Sequence, residues 1–164
     1  MESALAYQKY NSPIGTLHIY CSSTALVQLS FVPIDISIAA PNHMSRKVHL
    51  WLQAYFAGNS PNINFELEPQ GTAFQKEVWQ ALIAQANYGK QLSYQDLSRK
   101  LNKEKAIRAI AQANAKNPIP VIIPCHRIVG SNGKLTGYSG GLWRKQFLLD
   151  LERGQLNFFP ESLA

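Results

Sequence analysis

The sequence predicts an α+β chain of two domains: a small N-terminal one with an antiparallel sheet, and a C-terminal winged helix-turn-helix. Three observations predict it. Residues 7–32 hold three β-rich stretches separated by turn residues. Residues 72–116 hold three amphipathic helical stretches, and a strand-and-turn pattern follows them. The charge also divides: residues 1–71 carry three Lys/Arg and four Asp/Glu, whereas residues 72–153 carry thirteen and five. The domains are accordingly read as residues 1–70 and 71–164, with Pro69-Gln70-Gly71 as the linker.

The elements follow in order. Residues 7–10, 16–20 and 25–31 read as an antiparallel meander, with turns at Asn11-Ser12-Pro13-Ile14-Gly15 and Cys21-Ser22-Ser23. Cys21 falls in the second turn. Ser45 caps a helix to about residue 57 whose apolar stripe is Val48, Trp51, Leu52, Tyr55 and Phe56, with Gly58 as the stop. Ile63, Phe65 and Leu67 alternate with polar residues as a half-buried strand. Thr72 and Gln75 form a capping box for a helix with Phe74, Val78, Leu82 and Ile83 on one face. Ser93 opens a shorter helix. After a break at Asn102 a third runs from about residue 103 to 116, ended by Asn117-Pro118. The second and third helices with a tight turn suggest a helix-turn-helix, basic at Lys103, Lys105 and Arg108. The apolar run Ile119-Pro120-Val121-Ile122-Ile123 reads as a short buried strand, and residues 128–136 as a wing hairpin turning at Asn132-Gly133. A last helix over residues 142–153 faces Trp143, Phe147 and Leu151 to the core, with Gly154 after it.

With 46% hydrophobic residues the chain can build a real core, and no stretch reaches the length of a membrane span. Met1-Glu2-Ser3-Ala4 lacks the pattern of a signal peptide, so the expected location is inside the cell: the cytoplasm, bacterial by default, or the nucleus of a eukaryote. Cys21 and Cys125 lie 104 positions apart with no CxxC and no His at ligand spacing, which argues against zinc and against a disulfide framework. His18, His43 and His49 read as surface or packing residues. The basic surplus of the C-terminal half points to an anionic partner, most simply nucleic acid.

The chemistry concentrates at Pro124-Cys125-His126-Arg127. Thiolate is the nucleophile of cysteine chemistry, and a neighbouring His or cation is one way to generate it. Neighbours in an extended segment point to opposite faces, so a bridging water suits Cys125 and His126 better than direct contact. A structural cysteine in a core strand remains the alternative.

The segment Asn117-Pro118-Ile119-Pro120-Val121-Ile122-Ile123-Pro124-Cys125-His126-Arg127-Ile128-Val129 resembles the signature of the O6-alkylguanine-DNA alkyltransferases. Gly137-Tyr138-Ser139-Gly140-Gly141-Leu142 resembles the glycine loop that follows it there, and residues 74–79, 89–97 and 106–110 align in order and spacing. The similarity covers roughly residues 70–154, while residues 1–68 match in outline the family's small ribonuclease-H-like domain.

The resemblance implies direct reversal of DNA alkylation: Cys125 takes the alkyl group from guanine O6, or from thymine O4, once per molecule and without cofactor. It implies that His126 activates the thiol through water with Glu152 behind it, that Tyr94 donates near the leaving base, and that Asn117 holds the segment before Cys125. Tyr94, Ile128, Tyr138, Ser139, Lys145 and Pro120 would line the base pocket. Arg108 would fill the space of the flipped nucleotide, with Lys105, Ala106 and Arg127 also on the DNA-binding surface. Small residues Ala106, Ala109, Ala111 and Ala113 suit a helix in the minor groove. The partner implied is double-stranded DNA, met by a monomer. Ile107 and Gln112 are bulkier than the small residues usual there, Asn114 stands where some relatives carry an apolar residue, and Gly137 replaces a polar one. Zinc-binding cysteines of some relatives are missing, so no metal is expected. A damage sensor without transfer, a Cys-His acyl hydrolase and a plain winged-helix regulator stand beside the alkyltransferase reading.

Overall fold

Three β-rich strands pair because the turns between them are short and closed locally. The structure, a computed structural model, describes residues 3–155. Strands β1 (Leu5–Ser12), β2 (Gly15–Cys21) and β3 (Ala25–Ser30) form the expected meander. The first turn pairs Ser12 with Gly15, whose φ of +109° a side chain would resist. Two short strands, β4 (Ile38–Ala39) and β5 (Glu66–Leu67), add in parallel at the edges in the order β4-β1-β2-β3-β5. Of the expected strand around Ile63 only β5 is hydrogen-bonded, although Phe65 is buried as the alternation requires.

Helix α1 (His43–Phe56) lies on this sheet and begins earlier than Ser45. Asn42 is the cap: its Oδ1 accepts the Ser45 N–H at 2.8 Å, and the Ser45 hydroxyl accepts the Asn42 N–H at 2.9 Å. Ser45 is thus the third helical residue of a capping box, buried, and its hydroxyl also donates to Gln8 Oε1. The stripe Val48, Trp51, Leu52, Tyr55 and Phe56 is buried as expected. Cys21 is not in a turn: it ends β2 and is fully buried.

Helix α2 (Ala73–Gln85) carries the predicted Thr72–Gln75 capping box. Its inward face is turned toward Trp79, whose indole N–H donates to the Ala113 carbonyl at 2.9 Å, and Ile83 is left 41% exposed, contrary to expectation. A β6 strand (Leu92–Ser93) leads into α3 (Tyr94–Lys100), capped by Ser93 and Asp96. Asn102 takes φ +57° at the helix-turn-helix turn. The expected third helix divides into a 3-10 turn at Glu104–Ala106 and α4 (Ile107–Ala115), because no side chain caps its start.

Two expected strands are absent among the described residues. Residues 118–123 form turns, since Pro118, Pro120 and Pro124 supply no N–H to a ladder and Val121 sits at φ +74°. Their side chains are buried nonetheless, and the Pro118 carbonyl accepts the Leu29 N–H of β3 at 3.0 Å. The wing is a loop: β7 (Ile128–Val129) pairs in parallel with β6, while Gly130 N–H to Lys134 O closes the Asn132-Gly133 turn at 2.9 Å. Helix α5 (Leu142–Glu152) buries Lys145, Leu148, Leu149, Leu151 and Glu152; Trp143, expected on the core side, is 56% exposed. One apolar cluster runs from the sheet and α1 through α2, α4 and the Cys125 segment. Among the described residues no helix is long and apolar enough to cross a membrane.

Candidate active site

Asn117 builds the floor of the site. Its Oδ1 accepts the Ile119 N–H at 2.9 Å and its Nδ2 donates to the Ile123 carbonyl at 2.8 Å, so one amide closes the whole proline-rich loop. The loop delivers a 3-10 turn, Cys125–Arg127. This turn replaces the extended geometry behind the opposite-faces argument. Cys125 is 3% exposed and His126 fully buried.

His126 Nε2 lies 2.6 Å from Glu152 Oε2 on α5. A carboxylate oxygen accepts only, so Nε2 carries the hydrogen and Nδ1 of the neutral ring is an acceptor. Nδ1 is buried without a protein partner. Among the described residues no hydrogen bond joins His126 to Cys125. Glu152 also takes Arg127 Nε on Oε1 at 2.8 Å, Arg127 NH2 on Oε2 at 3.0 Å and the Tyr55 hydroxyl on Oε2 at 2.5 Å. Burial opposes ionisation of this carboxyl, but the hydrogen bonds from His126 and Arg127 and the Arg127 charge outweigh it and hold the group well below the usual range. Burial lowers the His126 pKa, with the hydrogen bond and charge of Glu152 pulling the other way. The ring is therefore a neutral base.

The thiol is not a resting thiolate. Burial pushes Cys125 up to about 11, against the hydrogen bond from Asn117 and the charge of Lys145. Its proton must leave as the sulfur reacts, which makes an acceptor such as His126 Nδ1 part of the reaction rather than a standing activator. Lys145 is fully buried on α5, and its Nζ donates to the Thr136 carbonyl at 2.9 Å; burial lowers its pKa, and Cys125 opposes that shift. Tyr138 is buried with its hydroxyl unpartnered, and burial, then the charge of Cys125, raises its pKa well above the usual value.

The other predicted residues are distributed as follows. The Tyr94 hydroxyl lies 3.1 Å from Thr136 Oγ1 at the mouth of the glycine loop. Ile128 is buried in β7. Ser139 and Pro120 line a groove of about 200 Å³ with Asn117, Pro118 and Phe31. Arg108 and Lys105 are exposed and Ala106 half-buried, on the outward side of the helix-turn-helix. Ala113, expected on the DNA face, is instead buried under Trp79. Arg127, expected on the DNA-binding surface, is turned inward: its side chain is 12% exposed, spans Glu152 and the Ala86 carbonyl, and lies over the Tyr88 ring at 5.6 Å.

One residue of the site, Tyr55, had no sequence signal, and Asn114 had shown only as a polar residue where some relatives carry an apolar one. Tyr55 reads as one member of an apolar stripe. Asn114 is buried on α4, with Nδ2 3.4 Å from the Cys125 carbonyl and Oδ1 unpartnered. Among the described residues no cluster of His, Cys, Asp or Glu could hold a metal ion.

The fold and site together define a two-domain protein with a cysteine seated behind a helix-turn-helix. Residues 73–154 match the 6-O-methylguanine DNA methyltransferase DNA-binding domain family, and residues 5–69 match the ribonuclease-like domain of the same proteins. The methylated-DNA–protein-cysteine methyltransferase of Methanosarcina acetivorans is 40% identical over 152 residues, covering 89% of this chain and 97% of the relative. That of Haemophilus influenzae is 40% identical over 161 residues, covering 92% and 88%. A crystal structure of Mycobacterium tuberculosis OGT in complex with DNA superposes with a TM-score of 0.83 at 37% identity, covering 93% of this chain and 96% of that one. The chain belongs to the methylated-DNA–protein-cysteine methyltransferase family.

Proposed function

We propose that this protein repairs alkylated DNA directly, with Cys125 as the acceptor of the alkyl group from guanine O6 and, secondarily, thymine O4. The observation that carries the reading is the buried chain Glu152–His126, which leaves Nδ1 without a protein partner on the residue that follows a buried, protonated thiol in sequence. The sulfur forms a bond to the alkyl carbon as the carbon–O6 bond breaks and its electron pair stays on the base. The thiol proton passes through water to His126 Nδ1, giving an imidazolium that Glu152 stabilises. The guanine anion takes a proton from the Tyr94 hydroxyl near the leaving base, and the proton held on His126 returns through solvent to the phenolate. The product thioether is stable, so each molecule reacts once. Lys145, buried near the sulfur, favours the developing thiolate.

The alkyl carbon is unreachable inside a duplex, so the nucleotide is rotated out at a cost of a few kcal/mol. Arg108, exposed and without an ion pair among the described residues, fills the vacated space from the minor groove. Lys105 and the exposed Ala109 accompany it, whereas Arg127 serves Glu152. The protein acts as a cytoplasmic monomer whose two domains meet at Pro69-Gln70-Gly71. Incubation with duplex DNA containing O6-methylguanine, followed by peptide mapping by mass spectrometry, tests the reading. Methylation confined to Cys125 and capped at one group per molecule is expected. Binding without transfer, or repeated turnover on esters, would reject it.

A further inference from the structure

We propose that Tyr55, supplied by the N-terminal domain, is a positioning residue for the chemistry at Cys125: its phenol O–H fixes the Glu152 carboxylate, which fixes the ring and tautomer of His126. The inference rests on the alkyl-transfer reading above and gives the N-terminal domain a part in it. Tyr55 lies on α1, 97 residues from Glu152 in sequence, yet its hydroxyl donates to Glu152 Oε2 at 2.5 Å. That oxygen also receives His126 Nε2–H at 2.6 Å and Arg127 NH2 at 3.0 Å, while Oε1 receives Arg127 Nε at 2.8 Å and the Gly89 N–H at 3.3 Å. A carboxylate offers roughly four lone-pair sites, and five donors compete for them, three at Oε2 alone. It cannot swing without breaking a bond.

Tyr55 can only be the donor here. Burial, then the charge of Glu152, raises its pKa well above the usual value, so the phenol stays protonated beside an ionised carboxylate. The hydroxyl shares Oε2 with His126, and this sharing weakens the pull of the carboxylate on the imidazole. The other groups facing the pair are Arg127 and Lys145, both cationic and both opposing protonation of His126, the Cys125 thiol, and the neutral phenols of Tyr88 and Tyr138. Without the Tyr55 hydroxyl, Glu152 binds the His126 Nε2–H more strongly and is also freer to rotate. His126 should then protonate at higher pH and stand less often with Nδ1 free as an acceptor.

The ring and the hydroxyl can be separated. Tyr55 stacks on Trp51 at 5.3 Å with planes 10° apart and meets Phe56 edge-on, and a phenylalanine keeps both contacts. Single-turnover methyl transfer from an O6-methylguanine duplex should be measured against pH in full-length wild type, Tyr55→Phe and Tyr55→Leu. Nitrogen-15 histidine NMR should follow the titration of His126 in the same proteins, with His18, His43 and His49 assigned by substitution. Tyr55→Phe is expected to be about tenfold slower near neutral pH, the effect of losing one hydrogen bond to a charge. Its acid limb and the His126 titration should move upward together, by about half a pH unit. If Tyr55→Phe matches wild type in both readouts and only Tyr55→Leu is impaired, the ring is mere packing and the proposal fails. The NMR arm requires no transfer. A wild type that never methylates Cys125 would reject the alkyl-transfer reading, while the His126 titration still decides the role of Tyr55.

Discussion

The chain holds two cysteines, one in each domain, and burial alone does not tell them apart. Cys21 is fully buried at the end of β2, and burial pushes its thiol up to about 12. Cys125 is 3% exposed, and burial pushes its thiol up to about 11. The neighbourhoods differ. Cys21 is paired across the sheet with Ala6 and Leu26 and has no resolved influence opposing burial. Cys125 has an amide from Asn117, the charge of Lys145, the hydroxyl of Tyr138 and an imidazole with a free Nδ1 held by a carboxylate. Reactivity in this fold comes from a polar pocket in which a proton has somewhere to go, not from an exposed or pre-ionised thiol.

The largest expected effect tests that contrast directly. Cys125→Ser should abolish methyl transfer, by at least about a thousandfold, since a hydroxyl is a far weaker nucleophile than a thiol at the same site. DNA binding should persist in a gel-shift assay. Appearance of the methyl group on Cys21 in this variant would break the comparison, because it would make burial in an apolar strand no barrier.

Glu152→Gln comes next. The amide would present a donor to His126 Nε2 and so favour the wrong tautomer, and transfer should slow by about 10²–10⁴-fold in single-turnover kinetics. Stability should also fall by roughly 3 kcal/mol in denaturant titration, because Arg127 loses its counter-charge. Acid dependence follows from the same pair. His126 has a lowered pKa in the fold, so it destabilises the protein as pH falls through its unfolded value of about 6.5. Glu152 is also lowered, so its stabilisation is present above the unfolded value of about 4.3 and is lost as pH falls below it. Wild-type stability should therefore decline in two stages on acidification. Glu152→Gln should shrink the second, leaving the share of Asp96, whose carboxyl the Ser93 hydrogen bonds also lower.

Arg108→Ala sharpens the comparison from outside the pocket. Repair in duplex DNA should slow by about tenfold, within the few kcal/mol that base flipping costs. Reaction with free O6-benzylguanine should be unchanged, since nothing is flipped. Equal slowing of both would mean that Arg108 acts on Cys125 rather than on the DNA.

Sequence reading reached different depths in these regions. The meander was legible because β-rich stretches and the turn residues between them act locally, and the Thr72 and Ser93 caps were legible for the same reason. The segment before Cys125 was misread as a strand: its apolar residues are buried as a strand's would be, yet three prolines and the Asn117 clasp determine its path. Periodicity reports burial and does not report where backbone hydrogen bonds go. The pairing of Arg127 was not legible, because a basic residue in a basic domain gives no sign that a buried carboxylate 25 residues on will claim it. Tyr55 was invisible for a related reason. A stripe of aromatic residues at helical spacing predicts a core, and a hydroxyl at its edge shows its partner only when two domains are in contact.

The smallest expected effect is at the other cysteine. Cys21→Ala should leave transfer to Cys125 unchanged, because Cys21 ends β2 in the N-terminal sheet and, among the described residues, burial is what shifts its thiol. Cys21→Ser should also leave the rate unchanged, but it should lose about 1–3 kcal/mol of stability, more than the alanine variant. A serine hydroxyl must find a hydrogen-bond partner where the sulfur needs none, and a fully buried strand end between Ala6 and Leu26 has little to offer. Urea titration of the two variants checks the order. If serine is as well tolerated as alanine, a polar partner exists beside Cys21, and apolar surroundings no longer explain why that thiol is inert.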